Sequence, residues 1–313
     1  MDRREFTRTL GVAAVALGSG FLSVSSAKQA PQLAITMDDF QWDKSLKLNP
    51  DERNQGVLQA LRSHGDLKAA LFVKGKNVVA DKGRQLLGDW DRAGHLVGNH
   101  SYSHQYLNSG KVTVEAYTAD ILKCEELLKG FPHFQKIFRY PYLKEGETAA
   151  KRDAVKAFLK QNGYRIGHVT IDASDWAIDD RLSARLTKDP TADTRPYRDF
   201  YLSHMWERAL YYDDLSRRVL GCSVKHTILM HFSLLNALYL GDLLEMFKSK
   251  GWKLIDAEKA FADPVFSAEP KILPAGESLI WALAKETGKF DKLLRYPGED
   301  APYENPKMDK LGL

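Results

Sequence analysis

Two neighbouring carboxylates and a pair of histidines are the residues whose types and spacing point most directly to chemistry. Asp38 and Asp39 end the apolar run that begins at Ala34, and His100 and His104 follow further along the chain. One carboxylate and two imidazoles can occupy three positions around a first-row metal ion, and the second carboxylate is then free to accept a proton from a bound water. This combination is typical of a hydrolase.

Neither half of this pattern is specific alone. Paired aspartates are common in solvated turns and at helix N-caps. The His-x-x-x-His spacing suits a metal because residues four apart share a helix face, but packed or surface histidines share it too. Both groups, however, directly follow apolar, strand-like runs, and α/β folds place their chemistry at strand ends. The two halves therefore support each other.

The elements that must position these residues alternate along the chain. From Gln32 onward, short apolar runs alternate with helical patterns, which indicates βα units around a parallel sheet or barrel. Seven strands are predicted, at 33–37, 69–73, 96–98, 136–138, 164–171, 226–230 and 252–255. We therefore expect an α/β fold in the form of a closed or nearly closed barrel.

Capping residues delimit two of the predicted helices. Asn49-Pro50 opens a helix with a cap and a proline in its first turn, and His64-Gly65 ends it. Thr113 caps a helix that runs from 114 to 129 and stops at Gly130.

Two stretches are longer than a plain βα unit needs. The first, about 177–225, contains a helix-periodic run from Tyr201 to Leu220 and is interpreted as a helical insertion in a catalytic domain at 28–262. The second, 263–313, is a C-terminal extension with a predicted helix near 278–285 and a tail rich in Pro and Gly. Extra length on the active face of a barrel often becomes a lid or a binding wall.

Residues 1–27 have the pattern of an export signal. A basic start that includes Arg3, Arg4 and Arg8 precedes 19 uncharged residues that end at Ala27. The run is too weakly apolar for a membrane span of about 20 residues, so we expect cleavage and no stable span in the mature chain. Arg3-Arg4 with Phe6 resembles a twin-arginine signal, which implies the twin-arginine export machinery as a partner and a periplasmic or secreted location. An uncleaved N-terminal anchor is the alternative.

The remaining chain is long enough for one large domain, and we expect no nucleic acid among its partners. The sequence has 313 residues, and its 45 basic and 41 acidic side chains give a net charge of +4 without the basic stripe that nucleic acid requires. Cys124 and Cys222 lie far apart, so buried free thiols are expected, although a disulfide in the periplasm stays open.

Polar groups follow the ends of three further predicted strands. Arg139 to Tyr142, Asp172 to Trp176, and His231 each come directly after an apolar run. If the strands are parallel around one axis, these groups meet the aspartates and histidines at one mouth of the barrel.

In these motifs the chain resembles the polysaccharide deacetylases of the NodB-homology type, carbohydrate esterase family 4. Five ordered motifs carry the resemblance: Thr36-x-Asp38-Asp39, His100-Ser101-x-x-His104, Arg139-x-Pro141-Tyr142, Asp172-x-x-Asp175-Trp176 and Leu229-x-His231. The resemblance covers roughly residues 32–260. It implies a distorted (β/α)7 barrel that removes N-acetyl or O-acetyl groups from an acetylated glycan or oligosaccharide.

The resemblance also implies a metal and a base. Asp39, His100 and His104 are expected to hold a divalent ion whose remaining positions take water and the acetyl carbonyl oxygen. Zn²⁺ is the default from ligand type, with Co²⁺ or Ni²⁺ as alternatives. Asp38 would be the general base, and Arg139 would pair with it through its guanidinium fork.

The remaining roles concern the leaving group and the substrate. The backbone N–H of Tyr142 would stabilise the charge that develops on the carbonyl oxygen. His231 would protonate the departing amine or alcohol as the general acid, and Asp175 would orient it. Trp176, Pro141 and Tyr142 are expected to bind the substrate.

Two positions depart from the family pattern. Phe40 and Leu143 stand where related proteins frequently have Gly. Both are expected to add bulk at the active face and thereby to alter the choice of substrate.

Other interpretations of the same residues stay open. Arg139 could be a surface residue at a strand end and Asp175 a helix N-cap, while Tyr201 and Trp206 fit core packing better than sugar stacking. A catalytically silent carbohydrate-binding protein on the same barrel is the alternative function. A non-haem Fe(II) oxygenase also uses two histidines and a carboxylate, and a metal-independent amidase would share the fold.

Overall fold

The computed structural model describes residues 30–43 and 46–313, and the predicted export signal lies outside them. The strands are β1 (Gln32–Asp38), β2 (Ala70–Val73), β3 (Leu96–Asn99), β4 (Phe134–Phe138), β5 (Lys144–Gly146), β6 (Arg165–Ile166), β7 (Lys225–His231), β8 (Lys253–Leu254) and β9 (Ala275–Gly276). The α-helices are α1 (Pro50–Ser63), α2 (Asp81–Arg92), α3 (Val114–Leu128), α4 (Ala149–Gln161), α5 (Asp175–Lys188), α6 (Arg195–Leu220), α7 (Leu234–Ser249), α8 (Ala257–Phe261), α9 (Leu279–Thr287) and α10 (Ala301–Lys310). Short 3-10 helices lie at Gly75–Val78, Pro141–Leu143 and Pro264–Ser267.

A curled parallel sheet carries the active face. Its strand order is β6-β4-β3-β2-β1-β7, every pair in it is parallel, and β8 pairs with the start of β1. Helices connect successive strands, as parallel pairing requires. The predicted α/β fold is confirmed.

One chain segment closes the sheet into a distorted barrel. Arg165 and Ile166 pair with β4 at one edge of the sheet, whereas Ile171 forms a bridge with Ile228 of β7 at the other edge. The segment therefore crosses the gap between the edges. The prediction of one continuous strand at 164–171 is wrong for this reason, since the chain must leave β4 to reach β7.

The predicted caps set the starts of two helices. The side chain of Asn49 accepts a hydrogen bond from the N–H of Glu52 at 2.9 Å, and the Glu52 carboxylate accepts one from the N–H of Asn49 at 2.8 Å. Thr113 Oγ1 accepts from the N–H of Ala116 at 3.2 Å. Such caps satisfy N–H groups that the helix itself leaves unpaired, so α1 and α3 begin where the sequence indicated.

Two hydrophobic layers lie on opposite faces of the sheet. Ala34, Ala70, Phe72 and Ile137 form an inner cluster that α8 closes with Phe261. The alternate residues of the same strands pack outward in the larger cluster, which includes the faces of the surrounding helices. This alternation follows from the two-residue period of a strand.

The long stretches fold as helices against the barrel. The insertion forms α5 and α6, and the extension contributes α9, which packs on α6. The tail rich in Pro and Gly contains α10, with Pro302 in its first turn and Pro306 inside it. Proline is compatible with the first turn of a helix.

Three smaller findings concern the surface and the thiols. Among residues 30–43 and 46–313, no helix is long and apolar enough to cross a bilayer. Cys124 is buried and Cys222 is exposed, and both are free thiols. The expectation of a buried thiol is therefore wrong for Cys222.

Candidate active site

The strand register places the predicted base beside the predicted acid. Asp38 at the end of β1 is the direct partner of His231 at the end of β7. Adjacent strands are about 4.8 Å apart, so the two side chains leave the sheet as neighbours. His100 follows the end of β3 and Arg139 follows the end of β4, so both join the same edge.

Left-handed backbone turns recur in the loops that leave these strands. Positive φ values occur at six non-glycine residues of these loops: Asp39 (74°), Phe40 (55°), Ser101 (60°), His104 (62°), Tyr142 (58°) and Leu143 (55°). Each costs roughly 1–2 kcal/mol for a residue with a Cβ, and such strain persists only where the surroundings enforce it. Glycine adopts this conformation without that cost, whereas Phe40 and Leu143 do not.

The side chain of Asn77 holds the first of these loops. Its Nδ2 donates hydrogen bonds to the carbonyl oxygens of Asp39 and Phe40, both at 2.9 Å. Phe40 is fully buried, with its ring centroid 4.9 Å from that of Phe232. The expectation that Phe40 adds bulk at the active face is therefore wrong, whereas Leu143 does line the cavity.

The segment that carries the two histidines is a loop rather than a helix. Asp120 on α3 accepts hydrogen bonds from the N–H and the hydroxyl of Ser103, both at 2.9 Å. Ser101 Oγ accepts from the N–H of His104 at 3.0 Å. The four-residue spacing predicted the proximity of His100 and His104, but a shared helix face is not its cause.

Asp39, His100 and His104 converge as a metal site would require. Their ligand atoms all lie within 4.8 Å of one another. Oδ1 of Asp39 is 3.1 Å from Nε2 of His104 and 3.7 Å from Nε2 of His100, yet among the described residues no hydrogen bond reaches this buried oxygen. Three lone-pair donors face a common point, so the residues present fit a divalent cation.

The protonation states also fit a ligand set. Nδ1 of His100 lies 2.9 Å from the carbonyl oxygen of Arg139, which can only accept, so Nε2 is left without a proton. Burial lowers the pKa of His100 to about 4. Burial raises the pKa of Asp39, but the contact with His104 and the electrostatic attraction of His104 and His231 outweigh it and hold the pKa well below its usual range. At neutral pH the set is one carboxylate with a neutral His100.

Arg139 orients Asp38 from inside the barrel. Nη1 donates to Asp38 Oδ1 and to Thr36 Oγ1, both at 2.8 Å, and Nε donates to the carbonyl oxygen of Gly167 at 2.7 Å. The guanidinium lies 4.0 Å from the centroid of the Phe72 ring and is 1% exposed, so Arg139 is not a surface residue. The contact with Asp38 uses one nitrogen rather than the expected fork, which leaves Oδ2 of Asp38 free to face the site.

Asp175 orients His231 and stabilises its charged form. Its Oδ1 lies 2.8 Å from Nδ1 of His231, and its Oδ2 accepts from the N–H of His231 and from Nδ2 of Asn236, both at 2.7 Å. Burial lowers the pKa of His231, but the charge and the hydrogen bond of Asp175, with the charges of Asp39 and Asp38, raise it to about 9. Asp175 is the first residue of α5 rather than its N-cap, which is Ser174.

The predicted substrate residues fall into two groups. Trp176 and Tyr142 line the cavity, and the ring of Tyr142 is 55% exposed at a centroid distance of 4.5 Å from His104. None of the hydrogen bonds within the described residues uses the N–H of Tyr142. Pro141 is buried in the short 3-10 helix and does not line the cavity, so it positions Tyr142 instead of contacting substrate.

One cavity of about 620 Å³ is lined by Asp38, Asp39, His100, His104, Tyr142, Trp176 and His231, whereas Arg139 and Asp175 lie behind its lining. The insertion contributes Asp179 and Asp180 to its lining, and the C-terminal extension contributes Glu277 and the segment 298–300. A volume of this order fits part of a carbohydrate chain.

The sequence interpretation assigned no role to several residues that contribute to the site. Thr36 and Asp172 stand in the quoted motifs but received no role, and Asn236 on α7 had no signal beyond its place shortly after β7. Two aromatic residues were correctly assigned to packing. Tyr201 is fully buried and donates to Asn236 Oδ1 at 2.5 Å, and Trp206 packs on Phe247.

Comparisons with known proteins match this chain to a family model, a curated relative and a solved structure. The family model described as polysaccharide deacetylase matches residues 25–167. A peptidoglycan-N-acetylglucosamine deacetylase of Bacillus cereus is 32% identical over 147 residues, which cover 46% of each chain, so the match spans about half the length of that relative. A mutant of BA3943 from Bacillus anthracis, described as a CE4 family pseudoenzyme with restored enzymatic activity, has a TM-score of 0.51 and 18% identity, over 74% of this chain and 67% of that chain. This last likeness shows the fold.

Proposed function

We propose that this chain hydrolyses N-acetyl or O-acetyl groups of a carbohydrate. The premise is that it carries a polysaccharide deacetylase domain of the NodB-homology type (carbohydrate esterase family 4). The observation that carries the proposal is the register of Asp38 with His231 beside the group Asp39, His100 and His104. A base, an acid and a set of metal ligands in one cavity are what hydrolysis of an acetyl group needs.

A divalent cation held by Asp39, His100 and His104 would supply Lewis acidity at the acetyl carbonyl. Zinc is the default for two histidines and a carboxylate, with cobalt or nickel as alternatives. The donor set fits because Nε2 of His100 and Oδ1 of Asp39 carry lone pairs and point into the same space.

The chain's own groups would move the protons. Oδ1 of Asp38 is bound to Arg139, so Oδ2 would accept the proton of the hydrolytic water. Nδ1 of His231 is bound to Asp175, so Nε2 would donate the proton to the departing nitrogen or oxygen. The N–H of Tyr142 would donate a hydrogen bond to the carbonyl oxygen as negative charge develops on it, a contribution of roughly 3–4 kcal/mol for one such donor.

Asp175→Asn should shift the pH profile of the reaction to lower pH. His231 donates only when protonated, so activity falls as the pH rises through its pKa, which Asp175 helps to raise to about 9. Without that charge the pKa of His231 should return toward 6.5, so about a tenth of the molecules carry the proton at pH 7.5 and kcat there should fall about tenfold. The measurement is the pH dependence of kcat for the variant and the wild type. Both proteins must carry the same metal, because a bound cation lowers the pKa of His231 in each of them.

Asp179→Asn is the matched control for this experiment. Asp179 lies one turn further along α5, and its carboxylate accepts from the N–H of Leu235 at 2.7 Å instead of contacting His231. The assigned role of Asp175 would be contradicted if the alkaline limb of the pH profile did not move in Asp175→Asn, or if it moved equally in both variants.

A catalytically silent carbohydrate-binding protein is the second candidate. It is favoured by one observation, that a solved protein of the same fold is described as a pseudoenzyme. A protein that only binds has no use for the pairs Asp38–Arg139 and His231–Asp175. Glycan binding that is unaffected by metal removal and never accompanied by release of acetate would favour it.

We also propose that the protein is exported from the cytoplasm of a bacterium. The support is the basic, then uncharged, pattern of residues 1–27 with Arg3-Arg4. Mass spectrometry of the protein from a periplasmic fraction tests it. A mature chain that retains residues 1–27, or protein found only in the cytoplasm, would exclude a cleaved export signal.

A further inference from the structure

The turn that carries the N–H of Tyr142 is strained and lies at the rim of the cavity. Tyr142 and Leu143 both have left-handed backbones, with φ of 58° and 55°. Within the turn, the N–H of Leu143 donates to the carbonyl oxygen of Tyr140 at 3.0 Å. A left-handed backbone persists at residues with a Cβ only where the surroundings enforce it, so contacts from outside the turn are needed to hold it.

The C-terminal extension supplies such contacts. Its strand β9 pairs antiparallel with β5, which begins directly after the turn. The N–H of Glu277 donates to the carbonyl oxygen of Leu143 at 3.0 Å. The carboxylate of Glu277 also pairs with the side chain of Lys144. The extension therefore binds the end of the turn through both a backbone and a side-chain contact.

Gly276 permits this contact because it has no side chain. The place that a Cβ would take at Gly276 is only 1.9 Å from the carbonyl oxygen of Leu143, and the backbone there has a φ of 125°. In folded proteins a Cβ essentially never lies closer than 3.0 Å to another such atom. Any side chain at this position would therefore push the turn and the extension apart by about 1 Å.

The extension is fixed to the barrel immediately after this contact. The N–H of Leu279 donates to the carbonyl oxygen of Val169 at 2.7 Å, and Ser278 Oγ donates to that of Thr170 at 2.9 Å. Ser278 is fully buried, whereas Tyr142 is 55% exposed. The turn at the rim can yield more easily than the anchored extension, so a disturbance of their contact should displace the turn.

A buried ion network anchors the far end of the extension. Arg208 on α6 lies 3.3 Å from Oε2 of Glu299 and 3.2 Å from Oε1 of Glu304, and all three side chains are buried. The carbonyl oxygen of Glu299 also accepts a hydrogen bond from Ser174 Oγ. The extension is therefore attached to the barrel on both sides of α9.

We propose that the C-terminal extension positions the N–H of Tyr142 for the reaction, with Gly276 and the N–H of Glu277 as the positioning groups. Gly276 does not line the cavity, so it acts only through the turn. This inference rests on the proposed deacetylase function, and it adds to the site a segment outside the residues that match the family model. A donor to a developing charge must be in place before the reaction, and a misplacement by about 1 Å can cost about 10²-fold in rate.

Gly276→Ala, compared with wild type and with the same metal bound, is the decisive experiment. Its kcat for acetate release should fall about 10²-fold because the N–H of Tyr142 is displaced. KM and metal content should stay within about twofold of wild type, because neither the ligands nor the substrate contacts of the ground state change. Hydrogen exchange of residues 140–147, measured by mass spectrometry without substrate, should be about tenfold faster, since the turn loses its outside support.

Gly288→Ala is the matched control. Gly288 also lies in the extension and has a left-handed φ of 66°, but a Cβ there would meet nothing within 4 Å. This variant carries similar backbone strain and should lower the melting temperature, while kcat and the exchange of residues 140–147 stay as in wild type. The comparison separates displacement of the turn from a general loss of stability.

Ser278→Ala covers the case in which Gly276→Ala fails to fold. It removes the hydrogen bond to the carbonyl oxygen of Thr170 and leaves Gly276 in place. Because the support of the turn is then loosened rather than displaced, kcat should fall about fivefold, with faster exchange of residues 140–147. A Ser278→Ala variant equal to wild type in both measurements would overturn the inference.

The remaining outcomes separate this inference from the proposed function. If wild type releases acetate and a folded Gly276→Ala has the same kcat and the same exchange at residues 140–147, the positioning role is overturned and the deacetylase stands. A raised KM with unchanged kcat, or a loss of kcat equal to that of Gly288→Ala, would also overturn it. Faster exchange of residues 140–147 in Gly276→Ala, in a protein that releases no acetate from any glycan, supports the attachment of the turn and overturns the deacetylase.

Discussion

Replacement of Asp38 by Asn should lower kcat for acetate release about 10³-fold while the metal stays bound. The amide cannot accept a proton, and removal of a general base typically costs 10²–10⁴-fold. The three proposed ligands are untouched, so metal content should be unchanged. The measurement is acetate release from chitin oligomers, peptidoglycan fragments, acetylated xylan and exopolysaccharides, with added Zn²⁺, Co²⁺ or Ni²⁺.

The same substitution should also destabilise the fold. Arg139 is 1% exposed, and its Nη2 has no hydrogen-bond partner among the described residues, so Asp38 supplies the charge that offsets its burial. Breaking a buried pair costs about 3–5 kcal/mol, and Asn keeps one acceptor, so a loss of about 3 kcal/mol is expected. The assay must therefore run below the unfolding temperature of the variant.

Asp180→Asn serves as the control for Asp38→Asn. It removes a carboxylate that lines the same cavity without an assigned role in proton transfer. If Asp38→Asn behaves like wild type on every substrate that wild type deacetylates, Asp38 is not the base. If wild type releases no acetate from the whole panel with any of the three metals, the proposed function fails.

Removal of the metal should abolish activity and lower the melting temperature together. Asp39, His100 and His104 hold their ligand atoms within 4.8 Å of one another, and none of the hydrogen bonds among residues 30–43 and 46–313 reaches the buried Oδ1 of Asp39. A ligand that binds only the folded state at 1,000 times its Kd stabilises by about 4 kcal/mol. The measurements are activity, metal content and thermal denaturation before and after chelation, followed by addition of Zn²⁺, Co²⁺ or Ni²⁺.

His100→Ala and His133→Ala form a matched pair for this prediction. His100 is buried in the ligand group, whereas His133 is half exposed and contacts Asp91 away from it. Loss of metal and of activity is expected only in His100→Ala. Full activity of chelated protein that contains no metal would favour a metal-independent amidase, and activity that requires ferrous iron and oxygen would favour an oxygenase.

The position of the site could be predicted from sequence because its signals are local. In a parallel barrel the polar residue that follows each apolar strand lies at the same edge, so Asp38, His100, Arg139 and His231 could be placed together without knowledge of their contacts. The capped starts of α1 and α3 were predictable for the same reason, since a cap and the N–H that it accepts from are three residues apart.

The conformation of the loops was harder to predict from the sequence. The spacing of His100 and His104 suggested a helix, but hydrogen bonds to Asp120, distant in sequence, hold the segment as a strained loop. Phe40 looked like added bulk at the active face, but its left-handed backbone directs the ring into the core. Both errors arise because tertiary contacts override local preference at strained positions.

The sequence by itself determined the alternation of strands and helices, the order of the five motifs and the residue types at the strand ends. Only the tertiary structure decided which groups become partners: the Gly167 carbonyl behind Arg139, Asn236 behind Asp175, and the N–H of Glu277 beside the carbonyl of Leu143. Periodicity and caps act over a few residues, whereas these contacts join distant segments whose relative position depends on how the whole barrel packs and closes.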